Sequence, residues 1–101
     1  MDRSRVIYLI GQTYQRDQYG VNQPVETRKK VFCNVMSVTA SEWFDGGRNG
    51  LNPEYRMIVF QPDYGGEKIV EYNGTRYTVY RTYEARNDAL ELYVERREGN
   101  G

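Results

Sequence analysis

EKIVEYNGTRYTVYRTY, residues 67–83, is the stretch that decides the fold. β-Branched and aromatic residues alternate with polar ones on both sides of Asn73-Gly74. That pair is the strongest short hairpin signal, because both central residues of a type I′ turn need positive φ. The reading is two strands, Glu67–Tyr72 and Thr75–Tyr83, with Tyr77 and Tyr83 on the face opposite Tyr80. Asn73-Gly74-Thr75 also spells a glycosylation sequon, but no secretory leader is read here and the turn explains the residues. Downstream, Asp88–Arg96 places Leu90, Leu92 and Val94 inward and Glu91, Tyr93 and Glu95 outward as a strand, although its Ala, Leu, Glu and Arg also suit a helix. Upstream, past a turn at Asp63–Gly66, Tyr55–Pro62 alternates Tyr55, Met57 and Val59 against Ile58 and Phe60. Residues 3–14 and Thr27–Val38 form two more strands. Ile7 and Leu9 oppose Val6, Tyr8 and Ile10 in one, and Val31, Cys33 and Val35 oppose Phe32, Asn34 and Met36 in the other. Gln15–Pro24, polar and punctuated by Gly20, Asn22 and Pro24, reads as the loop between them.

Between strands two and three the alternation breaks. Thr39 or Ser41 is placed to cap a short helix through Glu42, Trp43 and Phe44, which Gly46 and Gly47 would end. Residues 48–53 (RNGLNP) read as an irregular connection, with Asp45–Asn52 mobile. Trp43 either plugs the barrel end or belongs to a working surface. Six short strands with Gly, Asn and Pro turns and one helix between strands two and three predict a mainly β fold, a small six-stranded antiparallel barrel or sandwich. Residues 1–101 are expected to form one domain, with Glu98–Gly101 a frayed end.

Composition narrows the function. Fourteen Lys plus Arg balance fourteen Asp plus Glu, which argues against a dedicated nucleic-acid or anionic-membrane binder. The chain has no His and one Cys, so the commonest general base, the commonest metal ligand and an internal disulfide are all missing. Cys33 reads as a small core residue. The longest apolar run, Val6–Ile10, is too short for a signal h-region or a membrane span, and the expectation is a soluble protein made in the cytosol. Three acidic pairs, Glu42 with Asp45, Asp63 with Glu67 and Glu84 with Asp88, read as solvated turn charges rather than catalytic or metal-binding dyads. The run Asp45–Gly50 lacks the Lys-Ser/Thr and the strand-to-helix order of a phosphate loop. Tyr77, Tyr80 and Tyr83 with Arg76 and Arg81 are of the types that stack on bases. Tyr and Arg are also enriched at protein interfaces, which suits a neutral chain better. No catalytic residue, cofactor or metal is expected.

One ordered set of residues goes further. Ser41-Glu42-Trp43-Phe44, Gly47, Gly50-Leu51, Pro53-Glu54-Tyr55-Arg56, Asp63-Tyr64, Glu67, Asn73-Gly74, Tyr77, Tyr80-Arg81-Thr82-Tyr83 and Glu91-Leu92-Tyr93 resemble the head-tail joining proteins of long-tailed phages, also called head-closure or stopper proteins. The resemblance runs from strand one to strand six. It implies a non-enzymatic virion protein, from a phage or a prophage, made in the host cytoplasm and located at the neck. Such a protein assembles as a ring beneath the portal and adaptor rings, helps retain packaged DNA and receives the tail. Its implied partners are the portal or adaptor ring, tail-completion proteins and other copies of itself, with only non-specific steric contact to duplex DNA and none to a membrane. The matching channel or interface segment is Thr39–Glu54. Its candidate residues, with the strand residue after it, are Glu42, Trp43, Phe44, Asp45, Arg48, Asn49, Leu51, Asn52 and Tyr55. The readings kept against this one are a small barrel that binds single-stranded nucleic acid and a hydrolase using paired carboxylates.

Overall fold

A computed structural model describes residues 4–96. The end expected to fray, Glu98–Gly101, lies outside them, as does Arg3. Strands β1 (Arg5–Arg16), β2 (Asn22–Ser37), β3 (Pro53–Phe60), β4 (Ile69–Tyr72), β5 (Thr75–Glu84) and β6 (Ala89–Arg96) close into an antiparallel barrel in the order β1-β2-β3-β6-β5-β4. Helix α1 (Ala40–Arg48) lies between β2 and β3, and a 3-10 turn covers Gln61–Asp63. The architecture is thus the barrel rather than the sandwich. Closure leaves the barrel section no free sheet edge.

Alternation fills the barrel as expected. Ile7, Leu9, Cys33, Met57, Val59, Val70, Leu92 and Val94 are wholly enclosed, and Leu90, Leu92 and Val94 settle residues 89–96 as strand. Asn73 and Gly74 have φ of 51° and 79°, both positive as a type I′ turn requires, and Tyr72 pairs with Thr75 across them. At the end of the barrel from which α1 leaves, Tyr55 meets Tyr72 and Tyr77 edge-on, with centroids 5.7 and 5.5 Å apart. These three rings close that end.

Two expectations are corrected. Gln15–Pro24 is not a loop. β1 and β2 stay paired out to Arg16 and Asn22, and only residues 17–21 turn. Asp17 organises that turn by accepting from the Tyr19 and Val21 amides at 2.8 and 2.9 Å and from the Gln23 side chain. These bonds hold its carboxyl below the usual range. A ribbon whose two faces both meet water needs no apolar alternation, so the sequence there carries no strand signal. The second correction concerns β5. A bulge between Val79 and Arg81 inserts Tyr80 as an extra residue, and the parity of the strand reverses beyond it. Tyr77 faces the core, whereas Tyr83, level with the outward Glu91, is exposed on the same outer side as Tyr80.

Candidate functional site

The segment between β2 and β3 is more ordered than its glycines predict. Thr39, in extended conformation, is the N-cap, and its Oγ1 accepts from the Glu42 amide at 3.1 Å. Gly46 and Gly47 do not end the helix; it runs through them to Arg48. Its end is a Schellman turn, in which the Leu51 amide donates to the Gly46 carbonyl at 2.8 Å and the Gly50 amide to the Gly47 carbonyl at 3.1 Å. The required left-handed residue is Gly50, with φ of 78°. Gly46 serves packing instead. It is buried, and a Cβ there would run into the ring of Pro53 at the start of β3. Asp45–Asn52, expected to be mobile, is therefore helix, cap and a strap. The strap is Asn52, whose amide donates to Glu95 and whose carbonyl accepts from the Arg96 amide, each at 3.2 Å.

Glu42 and Gly46, four residues apart, share the helix face that meets the barrel. The Glu42 carboxylate, its side chain 17% exposed, accepts from the Tyr80 hydroxyl and from Arg81 Nη2, both at 2.5 Å. The β5 bulge makes this grip possible. With Tyr80 as the extra residue, two consecutive side chains reach the same outer side and close on one carboxylate. The hydrogen bond from Arg81 holds the Glu42 carboxyl below its usual range against the cost of its partial burial. Burial, then the carboxylate, push the Tyr80 hydroxyl strongly upward. Arg81 also lies 3.7 Å above the Tyr93 ring, and the Tyr93 hydroxyl donates to Glu91 at 2.6 Å. Register continues the row from Arg81 through Tyr93 and Arg56 to Met36.

The same face choice turns the aromatics of α1 outward. Trp43 and Phe44 are 52% and 58% exposed, and their rings meet edge to face at 5.1 Å. Beside them runs an open groove of about 560 Å³, lined by Val38, Ala40, Trp43, Phe44, Pro53 and Tyr55 among others. Trp43 does not plug the barrel end; the tyrosine trio does.

Of the residues expected to form the site, Trp43, Phe44 and Tyr55 come together along this groove. Glu42 points away from it into the Tyr80–Arg81 grip. Asp45, Arg48 and Asn49 sit on the exposed end of α1, where Arg48 reaches Asp45 at 3.8 Å and Asn49 donates to the Asp45 carbonyl. Leu51 and Asn52 are half-buried under the cap and strap. Sequence reasoning missed Tyr80, Arg81 and Tyr93 as holders of the helix. The signal available was the Tyr-Arg pair in mid-strand, which strict alternation splits between faces. Glu42 is neutralised by Arg81 rather than paired with Asp45, and Glu67 accepts from the Gly65 amide at 2.8 Å. Cys33 is enclosed in the core, and burial pushes its thiol up to about 11. Among the described residues no three His, Cys, Asp or Glu side chains converge as a metal site would need, and no helix is long and apolar enough to cross a membrane. No protein-family model matches the chain, and no curated protein matches it.

Proposed function

We propose that this chain is a structural, non-catalytic head-closure protein of a long-tailed phage or prophage. In this reading it forms a ring at the virion neck under the portal or adaptor ring, helps retain packaged DNA and offers the surface to which the tail attaches. The observation that carries the reading is the orientation of α1. A helix that packs by default buries its large apolar side chains and exposes its charges. This one commits a glutamate and a glycine to the barrel and leaves Trp43 and Phe44 half-exposed beside a groove. That choice holds α1 through a charged grip instead of apolar burial, and it leaves an aromatic anchor pair for another protein. The resemblance carried by Ser41–Phe44 and Pro53–Arg56 falls on this same segment. Contact with duplex DNA is steric in this account, since the charges of the chain balance and, among the described residues, the one α-helix carries Glu42 and Asp45 against a single basic residue, Arg48.

The test is location. Gold-labelled antibody against the chain, applied to particles purified from a lysate carrying its gene, should decorate the junction of head and tail. Label absent from particles, or spread along the tail or over the capsid, removes the reading.

A further inference from the structure

Two methionines fall among the described residues, and their sulfurs sit in opposite surroundings. Met57 points into the barrel and is wholly enclosed. Met36, on β2, is half-buried on the outer wall, because its neighbour Val35 takes the inward position against the core. Opposite Met36 in the β2–β3 register stands Arg56, and Arg56 Nη2 donates to the Met36 sulfur at 3.0 Å. A thioether is a weak acceptor. The rest of this guanidinium fares little better. Nη1 stands 3.9 Å from the Glu91 carboxylate, and Nε is enclosed without a hydrogen-bond partner among the described residues. The Tyr93 hydroxyl also lies beside the guanidinium, with its proton given to Glu91 at 2.6 Å. A partly buried cation with five donors is therefore short of acceptors, and such groups are costly to leave unmatched.

We infer that Met36 is a site of reversible oxidation to the sulfoxide, with Arg56 receiving the added oxygen. The reagent class is a hydroperoxide. A lone pair of Met36 Sδ attacks one peroxide oxygen; the O–O bond breaks, the S–O bond forms, and the proton of the transferred oxygen leaves with the departing oxygen as water or an alcohol. The sulfur gives up two electrons and the peroxide takes them. Oxidation turns a flexible apolar side chain into a polar one and ordinarily disrupts a core. At Met57 it would do so. At Met36 it exchanges a weak acceptor for a strong one in front of a guanidinium, and charge-assisted hydrogen bonds are the strong ones. The rotatable bonds of the side chain let its end turn the oxygen onto Nη2. Position supplies the selectivity. Met36 meets a dissolved peroxide in the native protein, whereas Met57 meets one only when the barrel opens. Cys33 does not compete, because it is enclosed and its thiol is pushed up to about 11, and the thiolate is the reactive form. Enzymatic reduction of the sulfoxide restores the thioether, which makes the change reversible. The inference rests on this pair of side chains and is independent of the head-closure reading.

Hydrogen peroxide tests it. The folded protein is treated, cleaved with trypsin and mapped by tandem mass spectrometry; cuts after Lys30, Arg48, Arg56 and Lys68 place Met36 and Met57 in separate peptides. Met36 should gain one oxygen on the order of a hundredfold faster than Met57, and the difference should vanish in denaturant. Oxidised wild type should melt no lower than the untreated protein. In Arg56→Leu, oxidation at Met36 should lower the melting temperature by about 4–8 °C relative to the same variant untreated, the shift expected when a polar oxygen is left without its cation. Should Arg56→Leu fail to fold, two further variants decide: Met36→Gln, which carries a permanent side-chain oxygen, should melt no lower than Met36→Leu, which keeps the apolar bulk. Equal rates at Met36 and Met57 in the folded protein, oxidised wild type destabilised as much as oxidised Arg56→Leu, or Met36→Gln melting below Met36→Leu overturns the inference.

Discussion

Replacing Glu42 by Gln keeps the shape of the side chain and removes its charge, and so isolates the grip that holds α1. The wild-type carboxylate accepts from Tyr80 and Arg81 at 2.5 Å each. Hydrogen bonds to a charged group contribute about 1.5–3 kcal/mol each. The Arg81 side chain is 44% exposed, so its share is discounted to the ~1 kcal/mol or less of a surface pair. An amide still accepts one bond from Tyr80, which leaves a net loss of about 1–2 kcal/mol. The barrel core is built from the six strands without α1, so the loss should appear as local opening rather than global unfolding. Hydrogen exchange reads this residue by residue: amides of Phe44–Arg48 should lose roughly 5–30-fold in protection, on the scale of tenfold per 1.4 kcal/mol, while β3 and β6 stay unchanged. The pH dependence has a fixed sign. The folded carboxyl lies below its ordinary 4.5, so its contribution is complete above that value and is lost as pH falls through the lowered folded value. Protection factors of α1 in wild type should therefore fall on acidification below pH 4.5, and those of Glu42→Gln should stay flat. Unchanged exchange in the variant, or an equal loss in the barrel strands, refutes the reasoning.

The two helix glycines should respond oppositely. Gly46→Ala drives a methyl against Pro53 and should lower α1 protection, because crowding of about 1–3 kcal/mol exceeds the gain in helix propensity; Gly47→Ala meets nothing within 4 Å and should raise it by up to about 1 kcal/mol. Leu92→Ala empties a fully enclosed position between β3 and β5 and should cost about 2–5 kcal/mol by urea unfolding, with no change in m if the denatured state is unaltered. Trp43→Ala with Phe44→Ala should shift the melting temperature only slightly and abolish particle formation in a complementation assay; full infectivity would detach the groove from function. Free protein should give no gel shift with duplex or single-stranded DNA at near-physiological salt, and a submicromolar shift would revive the nucleic-acid reading.

What was legible in the chain, and what was not, divides along physical lines. Strands with one face in the core betray themselves by period two, as Met57–Val59 and Leu90–Val94 do, and Asn73-Gly74 has few conformations to choose from. The β1–β2 ribbon around residues 17–21 was invisible because its ladder is satisfied by backbone bonds and Asp17, with no buried face to pattern the side chains. Gly46 misled because a small residue stops a helix in isolation yet permits close packing against Pro53, and only the tertiary partner decides which applies. The bulge at Tyr80 shifted the parity of β5 without a Gly or Pro to mark it. For the site, Trp43, Phe44 and Tyr55 were identifiable as residue types in an insertion, whereas the grip on Glu42 depends on two side chains about 40 positions away. Deleting residues 46–52 would remove the Schellman cap and the Asn52 strap, and so would perturb α1 itself rather than a loop beyond it.

The central claim is that this chain closes a filled head. Heads packed in cells lacking the gene, purified before tail addition, can be mixed with the pure protein and challenged with nuclease. The account predicts that encapsidated DNA passes from nuclease-sensitive to protected and that the treated heads then accept tails, with the Trp43→Ala, Phe44→Ala protein failing in both. Heads that retain their DNA and join tails equally well without the protein would contradict it.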